Sequence, residues 1–125
     1  MDIERVAVLG GGLMGSGIAE VTAAAGLPVV LREVSDAAAE AARERIEKSV
    51  ARAVSAGKRS REEADALLDR IAYTTRLEDV AGVDLVIEAV PEDAGLKSAV
   101  LAETAKVAGP EAVIASNTSS IPIAQ

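Results

Sequence analysis

The first residues of this chain carry the feature that most restricts its fold. A mostly apolar run, residues 5–9, leads directly into Gly10, Gly11 and Gly12, and residues that favour a helix follow. With Gly15, the glycines at 10 and 12 form the G-x-G-x-x-G pattern of a dinucleotide site. In that pattern the first glycine permits a sharp turn, the second lets the backbone approach a diphosphate, and the third lets the helix pack closely on the strand. The N–H groups at the start of the helix would then face the phosphates.

A glycine string can also be a turn that binds nothing, so its surroundings matter. Gly26 is a natural helix stop, and a second apolar run begins at Leu27. That run ends at Glu33, 18 residues after Gly15, where an acidic residue should accept hydrogen bonds from the adenosine ribose. The alternative for Glu33 is a strand-end carboxylate without a ligand. We prefer the ribose, because the whole unit has the length of a βαβ element.

The charge of Glu33 also predicts which cofactor is bound. A carboxylate at the ribose 2′-oxygen would repel the extra phosphate of NADP by roughly 4 kcal/mol per charge pair, at about 4 Å and an effective dielectric constant of about 20. Arg32 could pair with such a phosphate, but neighbouring strand residues point to opposite faces. We therefore expect Arg32 to point away and the cofactor to be NAD.

Composition excludes several classes of partner and site. The net charge of −7 and the pI of about 4.6 disfavour binding to nucleic acid or to an anionic membrane. The chain has no cysteine and no histidine, so it lacks a thiol nucleophile, the commonest metal ligand and the commonest general base. No apolar run is long enough to cross a bilayer, and the acidic residues 1–4 are unlike a secretion signal. We expect a cytoplasmic protein without a metal site.

Hydrophobic patterns and breakers predict strands that alternate with helices. This order is typical of an α/β fold of the Rossmann type, with a doubly wound, mainly parallel sheet. The expected strands are 6–9, 27–33, 73–75, 84–88 and 112–115, the third being a short edge strand. The expected helices are 14–25, 37–56, 60–71 and 95–108, the second capped by Ser35 or Asp36 and the third opened by a capping box at Ser60.

The segment 36–71 is long for a crossover between neighbouring strands. We expect it to form a helical-hairpin insert after the second strand. Two interpretations are equally open. The hairpin projects from the domain over a ligand, or it is a charged pair of helices that packs on the sheet.

Ligands bind at the carboxyl ends of the strands in open α/β sheets. Three predicted loops at such ends are polar, namely 10–15, 89–93 and 116–120. All three should emerge at the same edge of the sheet, and this coincidence strengthens the prediction of a binding site there.

On these residues the chain resembles the NAD-binding domain of the L-3-hydroxyacyl-CoA dehydrogenase family, in particular its 3-hydroxybutyryl-CoA dehydrogenase branch. The shared stretches are residues 6–19, residues 84–93 with Lys97, and residues 115–120. The continuation Met-Gly-Ser-Gly-Ile-Ala and the run Asn-Thr-Ser-Ser are much more specific than the glycine pattern. The resemblance extends over the whole chain and includes the long helical insert.

The resemblance implies how the matching residues would bind NAD. The diphosphate would lie against the glycines, and Glu33 would take the place of the family's usual aspartate. Loops after the later strands would contact the nicotinamide half. The cofactor-binding set is Gly10, Gly12, Leu13, Met14, Gly15, Glu33, Ala89, Val90, Glu92, Lys97, Asn117 and Ser119. Structural alternatives stay open, since Asn117 could cap a turn and Glu92 and Lys97 could form a solvated pair.

The resemblance also implies a substrate site. Ser119 and Asn117 would lie at the reacting centre, where a hydride passes between (S)-3-hydroxyacyl-CoA and NAD, as in fatty acid metabolism. Ser49, on the helical insert, matches a residue that contacts coenzyme A, and Lys58 is the nearest basic residue to a second such position. Ser49 could equally be an exposed helix residue without a function.

The family's general-base histidine has no counterpart, because the chain contains no histidine. The family also has a helical C-terminal domain, which completes the substrate site and forms the homodimer. That domain has no counterpart in residues 1–125 either. We expect residues 1–125 to be the NAD-binding domain of a longer dehydrogenase, which binds NAD without turnover; a free-standing nucleotide-binding domain is the alternative. Two other functions stay open: a dehydrogenase of a non-CoA hydroxy acid such as gulonate, and a non-catalytic sensor of NAD(H).

Overall fold

The computed structural model describes residues 3–89 and 94–116, with side chains described at 3–89 and 99–115. Its strands are β1 (Val6–Leu9), β2 (Val29–Arg32), β3 (Ile71–Thr74), β4 (Leu85–Glu88) and β5 (Val113–Ser116). Its helices are α1 (Leu13–Ala24), α2 (Asp36–Ser55), α3 (Arg61–Asp69) and α4 (Ala94–Ala108), and a 3₁₀ turn spans Leu77–Val80. The predicted alternation is confirmed, with element ends shifted by up to two residues.

All five strands form one parallel sheet in the order β3-β2-β1-β4-β5. The predicted Rossmann-type fold and the edge position of the third strand are therefore confirmed. Leu9, the last residue of β1, is level with Arg32 of β2 and Glu88 of β4. The segments that begin at Gly10 and Ala89 consequently leave the same edge of the sheet. Residues 90–93 and 117–120 of the other predicted loops lie outside the described residues.

The central strand β1 is buried on both faces, as a doubly wound sheet requires. Val6 and Val8 pack with α1, α2 and α3 on one side of the sheet. Ala7 and Leu9 pack with β4 and α4 on the other. Because these side chains are aliphatic and almost fully covered, each of the larger ones contributes roughly 1.5–3 kcal/mol of hydrophobic stabilisation. The glycine turn that follows β1 thus starts from the most firmly held strand of the sheet.

Both predicted caps of the hairpin helices are present. The Ser35 side chain accepts a hydrogen bond from the Ala38 N–H over 3.1 Å at the start of α2. At the start of α3, Ser60 and Glu63 form a reciprocal capping box. Hydrogen bonds from the backbone and then the side chain of Ser60 hold the pKa of the Glu63 carboxyl below its usual value. These local signals fix where the two helices begin.

The hairpin of α2 and α3 packs on the sheet. Five of its residues are buried in the same cluster as β1 and β2, namely Ala42, Ile46, Val50, Ala64 and Leu67. The turn between the helices is exposed at 55–58. The hairpin therefore packs on the sheet, and its position over a ligand stays a prediction. The first half of α2 also runs past the glycine turn, which brings Ala42 against Gly11.

The single tyrosine of the chain, Tyr73 on β3, reports on this packing. Burial raises the pKa of Tyr73 to about 12, while the guanidinium of Arg43, 4.9 Å from the ring centroid, lowers it. We expect ultraviolet titration to give a midpoint near 12 in the folded chain and about 10 in denaturant. Because the folded pKa is the higher one, this contribution to stability is complete below about pH 10 and is lost as the pH rises towards about 12.

Arg43→Met tests the same site, since removal of the cation should raise the Tyr73 midpoint further. Arg61→Met is the matched control, because Arg61 is an exposed arginine on α3. A folded-state midpoint of about 10 would show that the phenol is solvated and would contradict this packing.

Candidate dinucleotide-binding site

Glycines shape the turn between β1 and α1. Gly10 has a φ of +98°, which side chains rarely adopt, and its N–H donates to the Arg32 carbonyl over 2.9 Å. A Cβ placed on Gly15 would lie 1.8 Å from the Gly10 carbonyl oxygen, so the helix touches the turn there. In contrast, no described atom lies within 4 Å of a Cβ placed on Gly12. The sharp turn, the close contact and the open space are what the glycine pattern predicts.

The start of α1 is open to a ligand. Gly12 is the N-cap, and within the described residues no side chain caps the helix. The backbone N–H of Ser16 donates the first helical hydrogen bond, to the Gly12 carbonyl. The N–H groups of residues 13–15 are therefore without a helical acceptor. The first turn contains no acidic residue, so no side chain of α1 itself offsets the positive end of the helix dipole. These backbone groups suit the diphosphate of a dinucleotide.

Glu33 lies at this opening, as predicted. Its Oε2 accepts a hydrogen bond from the Gly11 N–H over 2.7 Å, and its Oε1 accepts one from the Val34 N–H over 3.2 Å. A carboxylate has about four lone-pair positions, so two stay available for the hydroxyls of a ribose. The position of Glu33 is that of a ribose-binding carboxylate, and its contact with the ribose stays a prediction.

These groups line one cavity of about 420 Å³. Six residues of the predicted cofactor-binding set are in its wall: Gly10, Gly12, Leu13, Met14, Glu33 and Ala89. Gly15 is buried next to them, against Gly10. Four further residues complete the wall, and the glycine pattern predicts none of them: Gly11, Arg32, Val34 and Val100.

Arg32 also lines this cavity, and its Nε donates to the Thr75 carbonyl over 3.2 Å. Leu31 and Val30 of β2 belong to the two different core clusters, so they point to opposite faces of the sheet. Glu33 continues the face of Leu31, next to Gly11, and by the same alternation Arg32 continues the face of Val30. A cation and a carboxylate therefore line one cavity from opposite faces, and the direction of Arg32 relative to the ribose stays a prediction.

Gly11 is hydrogen-bonded to residues of three different segments, although the G-x-G-x-x-G pattern allows any residue at its position. Its N–H donates to Glu33, and its carbonyl accepts from Ser16 Oγ over 2.7 Å and from Arg45 Nη1. A Cβ placed on Gly11 would lie 2.5 Å from the Cβ of Ala42 on α2. The unbroken run of three glycines is the one sequence signal for this contact. Ser16 belongs to the specific stretch Met-Gly-Ser-Gly-Ile-Ala, but the resemblance assigns it no contact. Nothing in the sequence marks Arg45, because it resembles an ordinary polar helix residue.

Four of the predicted site residues lie outside the described residues, namely Val90, Glu92, Asn117 and Ser119. Lys97 lies on α4, at a position whose side chain is outside them as well. Their roles towards the nicotinamide and the substrate stay predictions. Ala89, which precedes the first of these positions, donates its N–H to the Leu9 carbonyl over 2.8 Å.

The two residues predicted to contact coenzyme A lie in different environments. Ser49 is half-buried and lines a small cavity of about 120 Å³ between α1 and α2, together with Arg45 and Arg52. Lys58 is exposed at the turn of the hairpin and does not line that cavity. The pocket around Ser49 is thus lined by two arginines and by the carboxylate of Glu20, and Lys58 is not part of its wall.

The described part of the chain has neither a cluster of metal-ligand side chains nor a helix that could cross a membrane. No group of three or more acidic, histidine or cysteine side chains there could hold a metal ion. Among the described helices, none combines the length and the apolar character that crossing a membrane requires.

Known proteins match this chain over nearly its whole length. The family model of the 3-hydroxyacyl-CoA dehydrogenase NAD binding domain matches residues 5–125. A 3-hydroxybutyryl-CoA dehydrogenase of Mycobacterium tuberculosis is 53% identical over 122 residues, which are 97% of this chain and 43% of that protein. The chain thus spans less than half the length of this relative.

Solved structures agree with the sequence matches. The crystal structure of M. tuberculosis FadB2 gives a TM-score of 0.95 at 52% identity, and the match covers 98% of this chain and 44% of that one. (S)-3-hydroxybutyryl-CoA dehydrogenase PaaH1 from Ralstonia eutropha gives a TM-score of 0.92 at 37% identity, over 96% of this chain and 42% of that one. With its glycine turn, its acidic residue after β2 and a family model matched from residue 5 to residue 125, the chain belongs to the 3-hydroxyacyl-CoA dehydrogenase family, as an NAD-binding domain.

Proposed function

We propose that this chain is the cofactor-binding part of an enzyme that interconverts (S)-3-hydroxyacyl-CoA and 3-oxoacyl-CoA. The observation that carries the proposal is the hydrogen bond of 2.7 Å between Glu33 and the Gly11 N–H at the open end of α1. This contact supports the proposal, because a carboxylate suited to ribose hydroxyls and N–H groups suited to a diphosphate then line the same cavity. NAD, when bound, supplies the hydride acceptor, and the residues of this chain bind and orient it.

A CoA thioester is the substrate class that we propose. Relatives matched over nearly all of this chain are named 3-hydroxybutyryl-CoA dehydrogenases, which supports it. The pocket around Ser49 supports it too, because Arg45 and Arg52 are cations suited to the phosphates of coenzyme A. In the same proposal, Ser119 and Asn117 lie at the reacting centre and Glu92 and Lys97 near the nicotinamide.

Three further proposals concern the protein as a whole. Residues 1–125 form one domain, which is supported by the two core clusters that share the central strand β1. The complete protein is a homodimer, as the family resemblance implies, and it is held by segments beyond the matched region, which is 43% of a relative's length. It works in the cytoplasm, which fits a chain without cysteine.

Titration of NADH into the wild-type chain and into Gly12→Ala tests the diphosphate site. The new methyl group should leave the chain folded, because no described atom outside Gly12 and its two neighbours lies within 4 Å of it. Alanine is a poorer N-cap than glycine, so the Tm should fall, but by no more than about 5 °C. The methyl group should lower the affinity for NADH at least about tenfold, because it would occupy the space of the diphosphate. The measurements are isothermal calorimetry and thermal unfolding.

Gly17→Ala is the matched control, since Gly17 is an exposed glycine of α1 with no described atom within 4 Å of an added Cβ. It should bind NADH like wild type. Equal NADH affinity in Gly12→Ala and wild type would contradict the placement of the diphosphate.

The same assay tests the substrate class. Coenzyme A should raise the Tm of the wild-type chain and not that of Ser49→Ala, whereas a gulonate-type enzyme would show no such shift. The chain alone should not oxidise NADH with acetoacetyl-CoA, because it has no histidine to exchange the hydroxyl proton. Turnover by the chain alone would contradict this assignment.

A further inference from the structure

We propose that Arg45 is a positioning residue for the dinucleotide site. By holding the Gly11 carbonyl, it keeps the glycine turn in the shape that presents the N–H groups of Gly12 and α1 to the diphosphate. The inference rests on the dinucleotide-binding function proposed above, and it adds a residue of the helical hairpin to the machinery that binds the cofactor.

The hydrogen bonds of Gly11 show how the turn is held. Its N–H donates to Glu33 Oε2, and its carbonyl accepts from Ser16 Oγ and Arg45 Nη1. A carbonyl oxygen has two lone pairs, so the Ser16 and Arg45 bonds use both. Gly11 is also buried, with Ala42 against it. The backbone of Gly11 is therefore held by Glu33 at its N–H and by Ser16 and Arg45 at its carbonyl.

The orientation of that peptide decides where the Gly12 N–H points. The structure has no cis peptide bond among the described residues. In a trans peptide the N–H points away from the carbonyl oxygen of the preceding residue. With the Gly11 carbonyl held by α1 and α2, the Gly12 N–H faces away from those side chains, and Gly12 itself lines the cavity. Rotation of this one peptide would turn a donor into an acceptor at the diphosphate.

A turn with glycines at 10, 11 and 12 needs such a constraint. Glycine has the widest choice of backbone conformations, so an unrestrained run would lose much entropy when it binds a ligand. A turn that is already ordered before binding avoids that cost. Ser16 supplies one bond from within α1, and Arg45 supplies the second from a separate helix. Arg45 therefore fixes the turn relative to the rest of the domain.

Arg45 is placed to act on the turn rather than to pair with an acid. It is half-buried, and among the described residues it forms no ion pair. Glu33 and Arg45 contact opposite ends of the Gly11 residue, one on its N–H and one on its carbonyl. Charged partners make hydrogen bonds about twice as strong as neutral ones. The pair thus holds Gly11 more firmly than neutral side chains would.

The test compares Arg45→Met, Arg45→Lys and the control Lys48→Met, which removes an exposed cation from the same helix. We expect Arg45→Met to lower the affinity for NADH at least about tenfold and to lower the Tm by no more than about 5 °C, because the Gly11 carbonyl keeps its bond to Ser16. Lys48→Met should bind NADH like wild type. Arg45→Lys keeps the charge and the apolar stem but loses the planar fork, so it should recover part of the affinity.

Salt separates positioning from simple attraction between Arg45 and the phosphates. Attraction across solvent is screened when the salt concentration rises from about 0.05 to about 0.5 M, whereas a displaced turn is not restored by salt. The ratio of the NADH affinities of wild type and Arg45→Met should therefore stay the same over this range. A ratio that falls to about one at high salt would overturn the proposal.

A second measurement does not depend on the cofactor. In amide NMR spectra of the unliganded chain, Arg45→Met should shift or broaden the signals of Gly10, Gly11 and Gly12, while the strands stay unchanged. Wild-type turn signals in this variant would overturn the positioning role even if NADH binds. If instead the turn signals move and neither protein binds NADH, the positioning role stands and the dinucleotide function fails.

Discussion

Replacing Gly15 by alanine is expected to abolish measurable NADH binding and to destabilise the fold. The added Cβ would lie 1.8 Å from the Gly10 carbonyl oxygen and 2.8 Å from its carbon, which are backbone atoms that cannot rotate away. Helix α1 must then move off the turn, and overpacking of this kind costs about 1–3 kcal/mol or more. Because the same shift displaces the N–H groups at the start of the helix, NADH affinity should fall at least about 100-fold. Denaturant unfolding and calorimetry measure the two effects.

Gly17→Ala supplies the control from the same helix. Its new methyl group meets no described atom within 4 Å, and alanine is a better helix former than glycine by about 0.5–1 kcal/mol. This variant should therefore be slightly more stable than wild type. If the alanine variants at 15 and 17 behave alike, the contact between Gly15 and Gly10 does not limit the approach of helix to strand.

Replacing Glu33 by glutamine should change the choice between NADH and NADPH. Glutamine can still accept a hydrogen bond from the Gly11 N–H, but it no longer repels a phosphate on the ribose. At an effective dielectric constant of about 20 that repulsion is roughly 4 kcal/mol at about 4 Å, and solvent exposure reduces it. We therefore expect the preference for NADH over NADPH to fall by about 10- to 100-fold. Arg32 lines the same cavity and is placed to help bind the added phosphate.

Competition of the two reduced cofactors in a fluorescence titration gives this preference directly. Glu62→Gln makes the same chemical change on α3, at an exposed position outside the cavity. It should bind both cofactors like wild type. An unchanged preference in Glu33→Gln would mean that the carboxylate does not face the ribose 2′-oxygen.

Much of this fold could be predicted from the sequence, because the signals are local. Ser35 and Ser60 mark helix starts by their own hydrogen bonds to nearby N–H groups. The glycine pattern predicts the turn because φ at Gly10 and the contact at Gly15 involve residues close in the chain. The fold class follows from the alternation of strands and helices. The position of Glu33 follows from the length of one βαβ unit.

The contacts that could not be predicted depend on how distant elements meet. Arg45 lies 34 residues from Gly11, so their hydrogen bond depends on the rotation of α2 against the sheet. An arginine on a helix looks the same in sequence whether it faces solvent or a carbonyl. Alternation within β2 predicts that Arg32 and Glu33 continue opposite faces of the sheet, but it does not predict that both residues line one cavity.

The packing of α2 on the glycine turn has a consequence for protein engineering. Ala42 lies against Gly11, and Arg45 binds its carbonyl, so the hairpin cannot be exchanged for a short linker without loss. Such a deletion would expose Leu31, which is buried in the same cluster as the hairpin residues. It would also leave the Gly11 carbonyl with one partner in place of two. A minimal cofactor-binding scaffold designed from this family must therefore retain the insert, and any chimera should be joined outside residues 10–46.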